Sequence, residues 1–394
     1  MLRGVLDFVK DLLQTGLRVL RFSTGTGLQT IGRPDRQSPV FVTCNFDLTV
    51  RRVRRALRGL DCYLLVAPTG GVNVWCAAAG GDFTADDVVS VIKTSRISEL
   101  VDHRRLILPQ LAATGVERTP VHERTGWRVG FGPVRASDIK EYVADHFKKT
   151  PEMRRVRFDP MERVEMAAMW AFPTSIVFMV PELIFWRPLV LPTLALIWGL
   201  SVGTFMAFPR LDRMLGGGKG AVAGTHGSSG WVQRLPFFNP GFGPSLVVFA
   251  VFLTGLAVYV SFEGGPGWIS LLWWGLPGAV ISAVMSFELT GSTPIYKSGG
   301  HEERLLTVQL LEDRCSGKAM CEQVCPKNCY EVDSKKHKAV IVAGHECVQC
   351  GACIVQCPED ALVFTFPDGG TIPPEEVRRY KLNLLGERKK SASA

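Results

Sequence analysis

The pattern of apolar and polar positions divides the chain into three stretches. From Met1 to about Val164, short apolar runs alternate with amphipathic ones. From about Met166 to Leu289, charge becomes sparse. From about Gly299 onward, charge returns together with most of the cysteines. In the first stretch, Tyr63–Ala67 and Trp127–Phe131 read as strands. Thr84-Ala-Asp-Asp87 has the spacing of a capping box ahead of a helix over Val88–Lys93, and Ser137 opens a helix to about His146. Strands alternating with helices predict an α/β domain with a largely parallel sheet over 41–164. In segment 1–40, Val5, Leu6, Val9, Leu12 and Leu13 recur at helical spacing, broken by Asp7, Lys10 and Asp11. This predicts an amphipathic helix, lying on a membrane or packed on the domain, rather than a secretory leader.

In the middle stretch, Val190–Phe208, Pro244–Phe262 and Trp268–Phe287 carry no charged residue, and each is about long enough to cross a bilayer. Met166–Phe185 is a fourth candidate, interrupted by Pro181 and Glu182. Region 165–298 is therefore expected to be transmembrane, with about four helical spans in lipid. The link Pro209–Gly243 holds Arg210, Arg213, Lys219 and Arg234, whereas Glu263–Gly267 holds no positive charge. The excess of positive charge places the longer link and both terminal domains in the cytoplasm of a multi-pass cell-membrane protein. The Gly216–Gly230 section reads as a flexible linker. No fixed-period repeat stands out.

With 394 residues, 46% apolar and 21% charged, the chain can build two or three domains. That composition excludes a disordered chain, a collagen-like chain and a small disulfide scaffold. The net charge of +8 comes without a basic stripe interleaved with aromatics, which argues for an anionic membrane surface and against nucleic acid.

Of the eleven cysteines, eight fall between Cys315 and Cys357, and Cys44, Cys62 and Cys76 lie in the first stretch. Such clustering fits metal ligands better than disulfides. Cys347, Cys350, Cys353 and Cys357, followed by Pro358, form a full Cys-x2-Cys-x2-Cys-x3-Cys-Pro run. Three closely spaced thiolates wrap one iron–sulfur cube and the fourth reaches a neighbouring one. Zinc sites instead pair two separated knuckles. Upstream, Cys315, Cys321 and Cys325-Pro326 repeat the pattern with Lys318 at the second ligand position. Over about Asp313–Phe366 the chain resembles bacterial two-cluster ferredoxins, an α+β fold that carries single electrons. The resemblance implies one [4Fe–4S] cluster on Cys325, Cys347, Cys350 and Cys353, and a second on Cys315, Cys321 and Cys357. Three ligands suit a [3Fe–4S] centre, or a [4Fe–4S] centre with an open or substituted corner. Cys329 reads either as the fourth ligand of that second centre or as a small buried residue beside it.

The segment Thr69–Gly81 is rich in small residues and lies between a strand and a helix, a common ligand-cradling position in α/β folds. It is neither GxGxxG nor a P-loop. Cys76 in this loop reads as a soft metal ligand or as a buried cysteine of a strand. Asn73, Val74, Trp75, Cys76, Ala77 and Ala78 together resemble the cap-helix signature of mercury-methylating corrinoid proteins, relatives of the corrinoid iron–sulfur protein of the acetyl-CoA pathway. Matches continue through His103–Leu111, Gly132–Ile139 and Thr150–Arg157. That family places a membrane region after its corrinoid domain and works with a separate two-cluster ferredoxin, so this chain resembles both partners fused.

The resemblance implies a cobalamin-type corrinoid with Cys76 as the lower axial cobalt ligand and Asn73 and Trp75 orienting the cap. It also implies Hg(II) as methyl acceptor, a methyltransferase (tetrahydrofolate-linked in the family) as methyl donor, and a low-potential electron donor. Ser137 would offer amides to the corrinoid's phosphate tail, or serve as an ordinary helix cap. Two departures point to a corrinoid methyl carrier with another acceptor. The family continues Gly-Lys where this chain has Ala79-Gly80, and its ferredoxin ends in a cysteine pair absent from Gly386–Ala394. A membrane-anchored electron-transfer protein without cobalt is the third reading. His103, His122 and His146 read as packing or surface residues, and Asp86 and Asp87 as helix capping.

Overall fold

The computed structural model describes residues 2–18, 20–214, 242–263, 267–286, 306–366, 368–382 and 388–390. The chain opens with α1 (Leu2–Gly16). An α/β region follows: β1 (Gly27–Ile31), β2 (Val40–Cys44), α2 (Asp47–Ala56), β3 (Cys62–Ala67), α3 (Val74–Gly80), α4 (Ala85–Ser95), α5 (Ile97–Leu100), β4 (Arg105–Leu108), α6 (Arg118–Thr125), β5 (Arg128–Phe131), α7 (Ile139–Ala144) and α8 (Pro151–Arg154). Four long helices come next: α9 (Pro160–Phe185), α10 (Val190–Met214), α11 (Phe242–Glu263) and α12 (Gly267–Ser286). The cysteine-rich region holds β6 (Thr307–Leu310), α13 (Met320–Val324), β7 (Tyr330–Asp333), β8 (Lys338–Ile341), α14 (Ala352–Gln356), β9 (Leu362–Thr365), β10 (Thr371–Ile372), α15 (Pro374–Arg379), β11 (Tyr380–Leu382) and β12 (Arg388–Lys390).

These elements form two compact units. One joins Arg21–Val156 with Leu306–Ala394, and the other joins Met1–Leu20 with Arg157–Leu305. The break between the first helix and the sheet falls near residue 20, and the expected boundary at 299 lies outside the described residues. α1 belongs with the long helices, β1 belongs to the sheet, and the cysteine-rich region shares a unit with the α/β region.

The α/β sheet has the order β1-β3-β2-β4-β5, with β1 antiparallel and the other four parallel. Every residue of β2 and β3 is buried, as strands covered on both faces require. β5, at the edge, alternates, with Arg128 outward and Val129 and Phe131 inward. The order reverses beside β2, whose register with β4 rests on the single pair Phe41–Ile107. In doubly wound sheets, ligands bind outside the carboxyl ends of the strands at such a reversal. The capping box forms as expected, with Asp87 Oδ2 accepting from Thr84 N at 2.7 Å. The expected helix from Ser137 begins instead as a 3-10 turn over Ala136–Asp138 capped by Arg135.

In the other unit, among the described residues, four helices are long and apolar enough to cross a membrane: Pro160–Phe185, Arg187–Leu211, Gly243–Phe262 and Trp268–Ser286. α9 runs unbroken through Pro173 and Pro181, so the interrupted fourth candidate is one continuous helix. Glu182 is engaged there, its Oε1 accepting from Thr193 Oγ1 at 2.6 Å. Ala167, Ala171, Ile197, Phe205 and Met285 pack inside, whereas Val177, Leu191, Val251 and Trp273 are exposed. Small inward residues and bare outward apolar ones are what lipid-facing bundles show. α1 packs on α9 and is tied by an Arg18–Glu165 ion pair at 2.8 Å. Most of the link 209–243 lies outside the described residues.

Candidate functional site

The carboxyl ends of β2, β3 and β4 carry Asn45, Thr69 and Gln110. Asn45 is 6% exposed, and its Oδ1 accepts from Thr69 N at 3.0 Å and Gly71 N at 2.9 Å. That one amide oxygen shapes the loop leading into α3. Gly71 sits at φ +73°, and a Cβ there would lie 2.5 Å from Ser23 Oγ, so only glycine fits.

α3 is a separate short helix, where the sequence suggested a loop. Asn73 is its N-cap, with Oδ1 accepting from Cys76 N at 3.0 Å. Val74, Ala77 and Ala78 are buried, Trp75 is half-buried, and Cys76 is exposed. The buried-strand alternative for Cys76 is therefore excluded. One turn on, Gly80 has open space where a Cβ would stand. Cys76 thus rises from a helix face flanked by Asn73, Ala79 and Gly80, all small. A broad planar ligand could approach such a face, and the residues present fit a thiolate-ligated corrinoid.

Cys44 and Cys62 are buried in β2 and β3. Burial pushes both thiols up, Cys62 to about 11 with help from Asp61. They are core residues. His103 links Ser38 O at 3.0 Å with Arg105 N at 3.2 Å, Ser137 Oγ donates to Asp138 Oδ1 at 2.9 Å, and Asp86 pairs with Arg124. These contacts are structural.

The repeat of the cysteine pattern in this region extends into its backbone. A shift of 32 residues carries Cys315, Cys321 and Cys325-Pro326 onto Cys347, Cys353 and Cys357-Pro358. The same shift carries the left-handed residues Gly317, Ala319 and Asn328 onto Gln349, Gly351 and Asp360. Lys318 falls on Cys350, in a loop of the same conformation. Cys329 falls on Ala361. Cys329 N donates to Cys325 Sγ and Ala361 N to Cys357 Sγ, both at 3.3 Å.

The thiols stand in two groups. Cys315, Cys321 and Cys357 line one hollow with Ala319 and Pro358. Burial pushes Cys321 up to about 12. Cys350 and Cys353 instead face Cys347 and Cys325, and burial raises both. Cys325 is held down at about 7, chiefly by the Cys329 side chain, whose own thiol is pushed far up by Cys325 and Cys347. Cys329 therefore belongs beside the Cys325 group. Of the two readings of Cys329, its burial and its amide's bond to Cys325 Sγ accord with the small buried neighbour. Lys318 is exposed at the surface. Among the described residues, no three His, Cys, Asp or Glu side chains come close enough to hold a single metal ion. The donor chemistry of the two groups, all sulfur and carrying the ferredoxin repeat, fits iron–sulfur clusters.

Sequence reasoning missed Asn45, Gln110 and Gln356, since single polar residues ending strands or helices carry no motif.

Comparison with known proteins bears on the α/β region. Residues 21–143 match the family described as CO dehydrogenase/acetyl-CoA synthase delta subunit. The chain is 42% identical over 119 residues to the acetyl-CoA decarbonylase/synthase complex subunit gamma of Methanopyrus kandleri, covering 30% of this chain and 25% of that protein. It is 40% identical over 119 residues to the same subunit of Archaeoglobus fulgidus, with the same coverage. It is 36% identical over 118 residues to the corrinoid/iron-sulfur protein large subunit of Moorella thermoacetica, covering 29% and 26%. The chain thus spans about a quarter of the length of the curated relatives it matches. The α/β region is related to subunits of corrinoid proteins of the acetyl-CoA pathway.

Proposed function

We propose that this chain is a membrane-anchored corrinoid protein that transfers methyl groups, with Hg(II) as the acceptor and methylmercury as the product. The observation that carries the reading is the exposed Cys76 on a helix face of small residues, inside the segment matched to corrinoid-protein relatives. Cys76 would hold cobalt as a thiolate, and Asn73 fixes it by capping its amide. A corrinoid held there would supply methyl-transfer chemistry toward a soft cation. Ala77 and Ala78 seat the helix, and Ala79 and Gly80 leave room beside the thiol. The cysteine groups Cys325/Cys347/Cys350/Cys353 and Cys315/Cys321/Cys357 would hold two clusters that supply single electrons for returning cobalt to its lowest state. The four long apolar helices support the membrane anchor. A methyltransferase as methyl donor and a low-potential reductant complete the cycle.

A second reading, a corrinoid methyl carrier for another acceptor, is favoured by Ala79-Gly80 in place of Gly-Lys and by relatives named for acetyl-CoA complexes. The deciding experiment supplies Hg(II) anaerobically to cells expressing the chain or its Cys76→Ala variant. Methylmercury that vanishes in the variant supports the first reading. Absence of methylmercury from a chain that holds cobalt supports the second. A chain without cobalt sinks both.

A further inference from the structure

Within the unit formed by 21–156 and 306–394, the short turn Gln110–Thr114 after β4 has neighbours on two sides. α3, which carries Cys76, packs on it, and so do the cysteine-bearing helices α13 and α14. The approach of α3 is close. A Cβ on Gly115 would lie 2.5 Å from Ala78 O and 2.4 Å from Phe83 O. On the other side, Val324 and Ala352 join the buried core of the α/β region, with Met320 and Cys350 packed against it.

Polar groups in this seam are satisfied across it. Gln110 is 1% exposed, and its Nε2 donates to Arg154 O at 2.8 Å and to Cys325 O at 3.2 Å. Its Oε1 accepts from Lys149 Nζ at 2.8 Å, and the same amine donates to Gln323 O at 2.7 Å. From the cysteine-rich side, Gln356 is 3% exposed and its Nε2 donates to Ala113 O and Val116 O, both at 2.8 Å. Val156 N donates to Pro326 O at 2.8 Å, and Arg154 pairs with Glu322 at 2.7 Å. At the exposed rim, Arg155 pairs with Glu346 at 2.8 Å.

A tethered carrier that visits its acceptor and leaves must resolvate its docking face at each visit. Undocking here would break each of these buried hydrogen bonds and expose the shared core, and water would have to replace every one of them. We propose that Gln110 and Gln356 are positioning residues that lock the cysteine-rich region on the α/β region in one fixed pose. In that pose the Cys325/Cys347/Cys350/Cys353 group stays beside the turn that supports the Cys76 helix. The inference rests on the functional reading for what the two sites hold, but the lock itself concerns only this chain's side chains.

The test uses the full chain in nanodiscs, anaerobic and iron-loaded, as wild type, Gln110→Leu, Gln356→Leu and Arg155→Glu. Amide exchange is followed over 320–326 and 350–356, with β2 and β3 as internal reference. Each glutamine variant is expected to speed exchange in both windows at least tenfold and leave the reference strands unchanged. Arg155→Glu, at the rim, removes no buried contact and covers the case in which a core variant fails to fold. It is expected to speed exchange in the same windows by a few-fold. A second readout is single-turnover reduction of bound corrinoid by titanium(III). In wild type, its rate is expected to be independent of chain concentration, and in the glutamine variants it falls at least tenfold with iron content and cluster spectra unchanged. Exchange in 320–326 and 350–356 that is already fast in wild type, or unmoved in the variants, overturns the lock. If no corrinoid binds, the functional reading fails while the exchange result still decides the lock.

Discussion

At the residue scale, individual side chains hold the loops on which the proposed chemistry depends. Asn45 satisfies two backbone donors of the loop into α3. Asn45→Ala leaves both buried N–H groups without that oxygen and is expected to lower stability by about 2–4 kcal/mol, read by thermal unfolding. Asn45→Asp, which keeps an acceptor, should cost less. Ala319 poses the opposite case. It holds φ +59° at the position that glycine fills in the second half-repeat, Gly351 at φ +73°. A side chain in the left-handed region costs about 1–2 kcal/mol. Ala319→Gly is therefore expected to stabilise the cysteine-rich region by about 1 kcal/mol, with no change in iron content. If Ala319→Gly instead destabilises, the left-handed strain assigned to this position is absent.

At the element scale, the Gln110–Thr114 turn is the shared support. Gly115→Ala places a methyl group within 2.5 Å of backbone oxygens that cannot swing away, so α3 must shift. Overpacking of this kind costs about 1–3 kcal/mol. The expected result is a lower melting temperature together with weakened cobalt retention, because the displaced helix is the one that bears Cys76. Equal loss of cobalt in a stability-matched variant distant from α3 would separate the two effects and remove the specific claim.

Lys149 gives this support a pH dependence. It is half-buried, with its amine tied to Gln110 Oε1 and Gln323 O, and desolvation together with the neighbouring Arg154 pushes it down to about 7. Glu322, paired with Arg154, is the nearby counter-charge. An ordinary lysine in the unfolded chain holds its proton to about 10.4. Between about pH 7 and 10 the unfolded chain therefore binds more protons than the folded one, and stability rises with pH. Below about 7 both states are charged and the full penalty stands. In the metal-free chain, the melting temperature is expected to rise from pH 7 to 9, and Lys149→Met should flatten that rise.

At the scale of the whole molecule, one compact unit holds the four long apolar helices and the other holds every cysteine. The long helices present bare apolar surface outward, so release of the chain from membranes is expected to require detergent and to resist high salt and carbonate. The unit that carries every cysteine is assembled from two segments separated by the four long helices. Fusion alone would raise the effective concentration of one site near the other. The buried amides of Gln110 and Gln356 go further, replacing a tether with a fixed contact.

The sequence by itself determined the elements whose signals are local. Four long apolar helices, the capping box at Thr84, the α/β alternation and the two cysteine runs all depend on spacing within a few residues, and periodicity or ligand geometry makes spacing legible. Tertiary structure decided what depends on long-range contact. It placed Cys76 on an exposed helix face, because burial follows from what packs on Ala77 and Ala78. It set Cys329 beside Cys325, because the turn after Pro326 brings its amide onto the Cys325 sulfur. It joined residues 21–156 to 306–394 through glutamines that no motif marks, because a polar side chain acquires a role only when the fold brings a buried carbonyl within reach of it.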